Sequence, residues 1–320
     1  MVGLGKLPEE LLELVLRRLP VKSRLLAGLT CRQWLRIVSP HYVKVTDLRL
    51  VFEDDYHSIS FQFDALSGVQ DGSFQLIVSL CQCSEHKTAN CAVLWSLLPV
   101  VGAHLRQVII EDYLLKPNSF VSGEAVSAVF CNCDSVLECL ELHNVDLSHV
   151  PAATLATVGT FRRLTQLALC QCQQRVIADG GHLLLSDRFL SVVVRTPTLR
   201  QLRITDCAYV SDRLLKHVSR SCPLMWYADF SGCREVTARG VAHFCETISW
   251  RQTDMLYLKV GSTDVSGHEL QMYLFCPYSP AYNKQGKWKV TNFHVEFCGR
   301  KKAACLQNTA EPTKTLVMFP

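Results

Sequence analysis

Apolar residues recur along this chain at two periods. From residue 7 to residue 19 they fall at helical spacing, as Leu7, Leu11, Leu14, Val15 and Leu19. Pro8 suits a helix start, Glu9 and Glu10 meet the positive end of the helix dipole, Arg17 and Arg18 meet the negative end, and Pro20 stops the helix. The pattern predicts a second helix through Leu25, Leu26 and Leu29 with Ser23 as its cap, and a third carrying Cys31, Trp34, Leu35 and Val38. Three helices this short bury little core on their own. Their apolar faces need cover, from the rest of the chain or from another protein.

The second period belongs to strands, and it repeats. With Leu199 or Met225 set as position zero, apolar residues fall at +3 and +5 and a cysteine at +8: Leu202, Ile204 and Cys207, then Ala228, Phe230 and Cys233. The same frame fits from Leu164, Leu137, Leu105 and Val290, and more weakly from Val45, Gln75 and Thr253. Starts lie 26 to 37 residues apart, and a cysteine stands at +8 in five of the nine frames. Each unit predicts a short strand with inward +3 and +5 side chains, a turn with a small inward residue at +8, and a returning helix. One such unit cannot bury its apolar face alone, but a stack can. Thr196-Pro197 and Cys222-Pro223 occupy the same place before their strands. Further on, PYSPAYNKQGK reads as a long polar loop, KVTNFHVEF as a terminal edge strand, and residues 300–320 as a tail without periodicity.

Composition adds limits. At 320 residues, 48% hydrophobic and 19% charged, the chain can bury a sizeable core, and no stretch approaches an uninterrupted membrane span. The apolar N-terminal stretch carries Glu9, Glu10 and Glu13, unlike a signal peptide. A soluble cytoplasmic or nuclear protein is expected. The net charge of +4 is uneven: residues 1–44 and 281–320 are each +5, and residues 45–280 are −6. That acidic centre argues against a nucleic-acid-binding core. Sixteen cysteines in a reducing compartment are expected as buried thiols. One cluster, CQCSEHKTANC, offers Cys81, Cys83, His86 and Cys91 at a spacing that raises a zinc site. In its frame, however, Cys83 faces the core and Cys81 the opposite surface, so the two should not share an ion; no metal or other cofactor is expected. No phosphate loop, dinucleotide fingerprint or hydrolase motif occurs, and the chain reads as non-catalytic.

The segment LPEELLELVLRRLPVKSRLLAGLTCRQWLRIV resembles an F-box, with two Leu-Pro steps, apolar helices and Cys-Arg-x-Trp in family spacing. It departs from the family at Arg24, where many members carry an acid. The strand frames resemble leucine-rich repeats of the cysteine-containing type. Together they resemble the F-box/leucine-rich-repeat family, and CLELHNVDLSHVP resembles its F-box/LRR-repeat protein 12 branch. The resemblance implies an α/β solenoid: an N-terminal three-helix F-box over 4–44, then a curved leucine-rich-repeat horseshoe of about eight units over 45–276. The horseshoe would carry a parallel sheet on its concave face and helices outside. A loop and terminal strand over 277–299 and a tail over 300–320 complete the division.

For function, the resemblance implies a substrate receptor of an SCF-type cullin-RING ubiquitin ligase. The F-box would bind a Skp-type adaptor, and through it the cullin and RING subunits. Carried over by motif position, the adaptor-binding residues are Leu7, Pro8, Leu11, Val15, Leu19, Pro20, Leu25, Leu26, Cys31 and Trp34. An unknown protein substrate would meet the concave face, where the frame places Glu111, Asp112, Glu141, His143, Asn144, Arg203, Thr205, Asp206, Tyr227, Asp229, Tyr257 and Lys259. Two alternatives stand beside this: a repeat scaffold without a ligase role, and a repeat protein whose N-terminal helices only cap the stack.

Overall fold

The computed structural model describes residues 7–53, 59–66, 72–81, 87–113, 120–133, 136–147, 150–172, 177–178, 181–182, 190, 194–207, 210–249, 256–261, 263, 265, 269–270, 273, 293–298, 303–308 and 315–318. They form two compact units, Met1–Leu137 and Glu138–Pro320.

The first unit opens with α1 (Glu9–Arg17), α2 (Val21–Gly28) and α3 (Arg32–Val38). Ser23 lies inside α2, which starts directly after Pro20 without a side-chain cap, so the cap expected of Ser23 is absent. Helix α1 has two apolar faces. Leu12 and Leu16 are buried with Leu25, while the stripe Leu11, Leu14 and Val15 points outward. Arg24 accounts for the departure from the F-box pattern. Its guanidinium donates to the carbonyls of Leu16 (3.0 Å), Arg17 (2.7 Å) and Leu19 (2.9 Å), closing the C-terminal turn of α1, which an acid could not do. Buried Tyr42 donates to the Leu25 carbonyl at 2.6 Å and meets Phe63 at 6.3 Å between ring centroids.

The strands of this unit are β1 (Val45–Glu53), β2 (Ser60–Ala65), β3 (Phe74–Cys81) and β4 (Gln107–Asp112), with α4 (Lys87–Val101) and α5 (Phe120–Asn132). Their order is β4-β1-β3-β2. A simple stack would place β3 between β1 and β4. Instead β1 pairs with both in parallel, and β3 lies on its far side, in antiparallel pairing with β2. The β2–β3 pair thus adds an outer edge to β1, where a stacked repeat was expected. Leu50 stands opposite Val78, so the Gln75 frame is two residues late. Cys81 is fully buried rather than on the open surface. Cys83 and His86 lie outside the described residues.

The second unit repeats more regularly. Strands β5 (Cys139–His143), β6 (Gln166–Cys170), β9 (Gln201–Thr205), β10 (Tyr227–Asp229), β11 (Leu256–Lys259) and β12 (Phe293–Cys298) lie side by side in parallel. A small hairpin, β7 (Ile177–Ala178) with β8 (Gly181–His182), follows β6. The returning helices are α6 (Ala152–Ala156), α7 (Asp212–Ser221) and α8 (Ala238–Ser249). Leu140, Leu167, Leu202, Ala228, Leu258 and Val295 form one row across the sheet. That row puts Leu258 and Val295 at +3, so the Thr253 and Val290 frames are two residues early. A slip of two leaves inward and outward faces unchanged.

Each turn has one recurring geometry. Asn144, Gln171, Asp206 and Gly232, all at +7, adopt φ of 59°, 55°, 53° and 75°. Each also donates its N–H to a carbonyl of the next unit, at 2.7 to 2.9 Å. The residue that follows then turns inward: Val145 after Asn144, and a cysteine after the other three. Cys172, Cys207 and Cys233 donate their S–H to the +5 carbonyl of the preceding unit, at Leu142 (3.3 Å), Leu169 (3.6 Å) and Ile204 (3.2 Å). Cysteine suits this position because it is small, apolar and still carries a weak donor. Asp212 at the start of α7 accepts from the Thr237 N–H (2.9 Å) and hydroxyl (2.7 Å) and so caps α8; a Cβ on Gly240 would collide with its carboxylate. The expected edge strand and aperiodic tail give way to β13 (Ala303–Asn308) and β14 (Thr315–Met318), which extend the sheet past β12 in antiparallel pairing.

Candidate functional site

Two surfaces gather the residues singled out from the sequence, one in each unit. On the helical surface, Leu11, Leu14 and Val15 are 48%, 59% and 51% exposed, a cost that a chain without a partner for this face would be expected to avoid. Pro8, Pro20 and Cys31 are exposed beside them, and Leu7, Leu19, Leu26 and Trp34 are half-buried. Leu25 is the exception. It is completely buried as a core residue of the helices, and so drops out of the accessible set.

The second surface is the open face of the sheet, formed by side chains that alternate with the inward rows. It carries a cleft of about 370 Å³ lined by Gln201, Arg203, Trp226, Tyr227, Tyr257 and Lys259. Trp226 meets Tyr227 and Tyr257 edge-on, with ring centroids 6.0 and 6.4 Å apart. Asp229 forms one side of the same neighbourhood. It accepts from the Ser231 hydroxyl (2.7 Å) and N–H (3.0 Å) and from Tyr227 (3.4 Å), and Arg203 lies 3.9 Å away. Two cations beside three aromatic rings can recognise an anionic group flanked by an apolar one.

Next to the cleft, Glu141 and His143 form a pair at 3.0 Å. Hydrogen bonding to Cys170 and Glu141 pushes the imidazole up to about 9, and the same contact with His143 lowers the Glu141 carboxyl. Thr205 stands opposite Cys170 in the register. Asn144 and Asp206 occupy the left-handed turns, so their backbones leave the strand before they can extend the open face. In the first unit, Glu111 does face outward, where Arg49 (2.6 Å) and Tyr113 (3.0 Å) donate to it. Asp112 was expected beside it but is buried, and Tyr113, expected inward, is exposed. Strand β4 keeps its alternation through residue 112, so Asp112 follows Val108 and Ile110 inward.

Sequence reasoning missed Trp226, Arg49 and Cys170. Trp226 stands at +1, outside the alternating positions, and only its size beside a strand of aromatic residues could have marked it. Among the described residues, no three His, Cys, Asp or Glu side chains converge to hold a metal ion, and no helix is long and apolar enough to cross a membrane.

Comparison with known proteins matches residues 4–46 to the F-box domain family. No curated protein matches the chain. Among solved structures, it is similar to a chain of the crystal structure of the Rad7 and Elc1 complex in yeast, at 14% identity and a TM-score of 0.40. That similarity covers 59% of this chain and 44% of the other, so the chain spans less than half the length of the structure it matches. The matched family segment ends at the entry to β1, and the chain carries an F-box domain.

Proposed function

We propose that this protein is a non-catalytic substrate receptor of an SCF-type ubiquitin ligase. Its F-box domain implies a Skp-type adaptor as partner, and through that adaptor the cullin and RING subunits. The observation that carries the reading is the double-faced helix α1: Leu12 and Leu16 hold it to its own unit, and Leu11, Leu14 and Val15 are left for a partner. The strands of the second unit are leucine-rich repeats, and their open face takes the substrate, with the Trp226–Tyr227–Tyr257 cleft as its anchor. The receptor's contribution is proximity: a captured protein is held at high effective concentration near a ubiquitin-charged enzyme.

The test has two arms. Leu11→Asp with Val15→Asp places charges on the exposed face without touching the core, and should weaken adaptor co-purification about a hundredfold or more. If wild-type protein does not co-purify with a Skp-type adaptor, the reading fails. Trp226→Ala with Tyr257→Ala should leave adaptor binding intact and abolish capture and ubiquitination of a bound protein. Capture without ubiquitination by the wild type would favour the scaffold alternative.

A further inference from the structure

The open face of the second unit carries a row of five residues in continuous register: Glu141, Ala168, Arg203, Asp229 and Lys259, one each from β5, β6, β9, β10 and β11. Both carboxylates in this row are turned to partners in their own unit. Glu141 is held by His143 at 3.0 Å, and Asp229 by the hydroxyl and N–H of Ser231. Asp229 is also buried, whereas Arg203, 3.9 Å from it, is 45% exposed. The charge that the middle of the row presents outward is therefore positive. Ala168 sets the shape. Its side chain ends at Cβ between two longer neighbours, Glu141 and Arg203, and a second cavity of about 130 Å³ lies over it. Gln201, Arg203 and Tyr227 line this cavity and the aromatic cleft alike, so the two adjoin. Exposed Gln166 stands opposite Gln201 and adds a second amide side chain to the wall. The result is a trough from β6 to β11, about 14 Å across four strands at ordinary spacing, or about four residues of extended chain. Amide side chains suit a peptide backbone, because both carry donors and acceptors.

We propose that this trough binds an acidic peptide in extended conformation, with a carboxylate on Arg203 and, two residues away, a large apolar side chain among Trp226, Tyr227 and Tyr257. This names the substrate class for the open face, and it rests on the reading of that face as the substrate surface. The spacing follows from the geometry. The aromatic rings stand on the two strands beyond Arg203, roughly 7 Å along, and alternate side chains of an extended peptide repeat at about that distance. Lys259, on the last of these strands, takes further negative charge beyond the apolar residue.

A random peptide library displayed on phage and selected on the full-length protein tests the proposal. Peptides enriched by the wild type should carry Asp or Glu two positions from an aromatic residue, Leu, Ile or Met. A synthetic peptide of enriched sequence, followed by fluorescence polarisation, should bind about tenfold tighter than its Asn or Gln counterpart. Trp226→Ala should weaken it by about tenfold or more. Arg203→Glu with Lys259→Glu should abolish this binding and instead enrich basic peptides from the same library, a gain that an unfolded variant would not show. A thermal midpoint near that of the wild type confirms that the double variant is folded. Enrichment by the wild type of peptides without an acid, no enrichment at all, or an acidic preference retained by the double variant overturns the proposal. So does a phosphoserine counterpart bound more than about tenfold tighter than the acidic peptide, since the ligand group would then be phosphate. Adaptor co-purification, and ubiquitination that depends on Trp226 and Tyr257, are read separately. If both persist while the acidic preference fails, the receptor reading stands and only the substrate class is wrong.

Discussion

The frame that repeats along the sequence builds two different structures. In the second unit, position +7 turns left-handed, and where a cysteine follows at +8 it donates to the preceding unit. In the first unit, the Leu105 frame has Asp112 and Tyr113 at those positions. There the strand runs straight on, Asp112 goes inward and Tyr113 goes out to Glu111 and Arg49. Both units satisfy the apolar rows at +3 and +5 equally well, so those rows make a strand but not a turn. The turn needs a residue that tolerates positive φ, followed by a small inward one, a cysteine after Gln171, Asp206 and Gly232 and Val145 after Asn144. Where the sequence lacks that pair, the strand keeps its period of two.

One substitution made at the same frame position in both units gives the sharpest contrast. Cys207→Arg buries a charge with no partner and should cost roughly 3–5 kcal/mol in chemical denaturation. Tyr113→Arg, at an exposed site beside Glu111, should change stability by no more than about 0.5 kcal/mol. Equal effects would mean that +8 has no distinct role in the second unit. The turn residue comes next. Gly232→Ala places a Cβ at a φ of 75° and against the Asp206 carboxylate, and should cost about 1–3 kcal/mol by the same measurement. Smaller still is the cysteine donor. Cys233→Ala removes the bond to the Ile204 carbonyl, at about 1 kcal/mol, and Cys233→Ser should recover part of this because its hydroxyl donates too.

The same contrast explains what could be read before the structure. The inward rows were legible because a period of two survives errors of register: the Gln75, Thr253 and Val290 frames were each off by two, and every described +3 and +5 side chain is still buried. Strand order was not legible, since nothing local to β3 says on which side of β1 it pairs; that depends on β2 coming back antiparallel. The outward stripe of α1 could be read as apolar, but its facing could not. Leu12 and Leu16 form a second apolar row one residue along, and only packing decides which row is core. On the open face, Arg203, Tyr227 and Tyr257 were placed by alternation, whereas Trp226 stands outside it and needed three-dimensional neighbours to be noticed.

The smallest effect concerns the charge that distinguishes the open face of the second unit. In the first unit, Glu111 is paired with an arginine, a partner that keeps its charge throughout the accessible pH range. In the second, Glu141 is paired with His143, which is pushed up to about 9 by its contacts with Cys170 and Glu141. The folded state therefore binds this proton more tightly than the unfolded chain, where an ordinary histidine titrates near about 6.5. The resulting stabilisation is fully present below about pH 6.5 and is lost as the pH rises through about 9. Solvent screening of a ring that is 30% exposed holds it to about 1 kcal/mol or less. Urea midpoints measured from pH 6 to pH 9.5 should fall by a corresponding amount in the wild type and less in His143→Gln. Arg49→Gln should lose stability by the same small amount at every pH in that window, because the guanidinium it removes keeps its charge throughout. If His143→Gln follows the wild-type slope, the histidine is not the group that makes the two glutamate pairs differ.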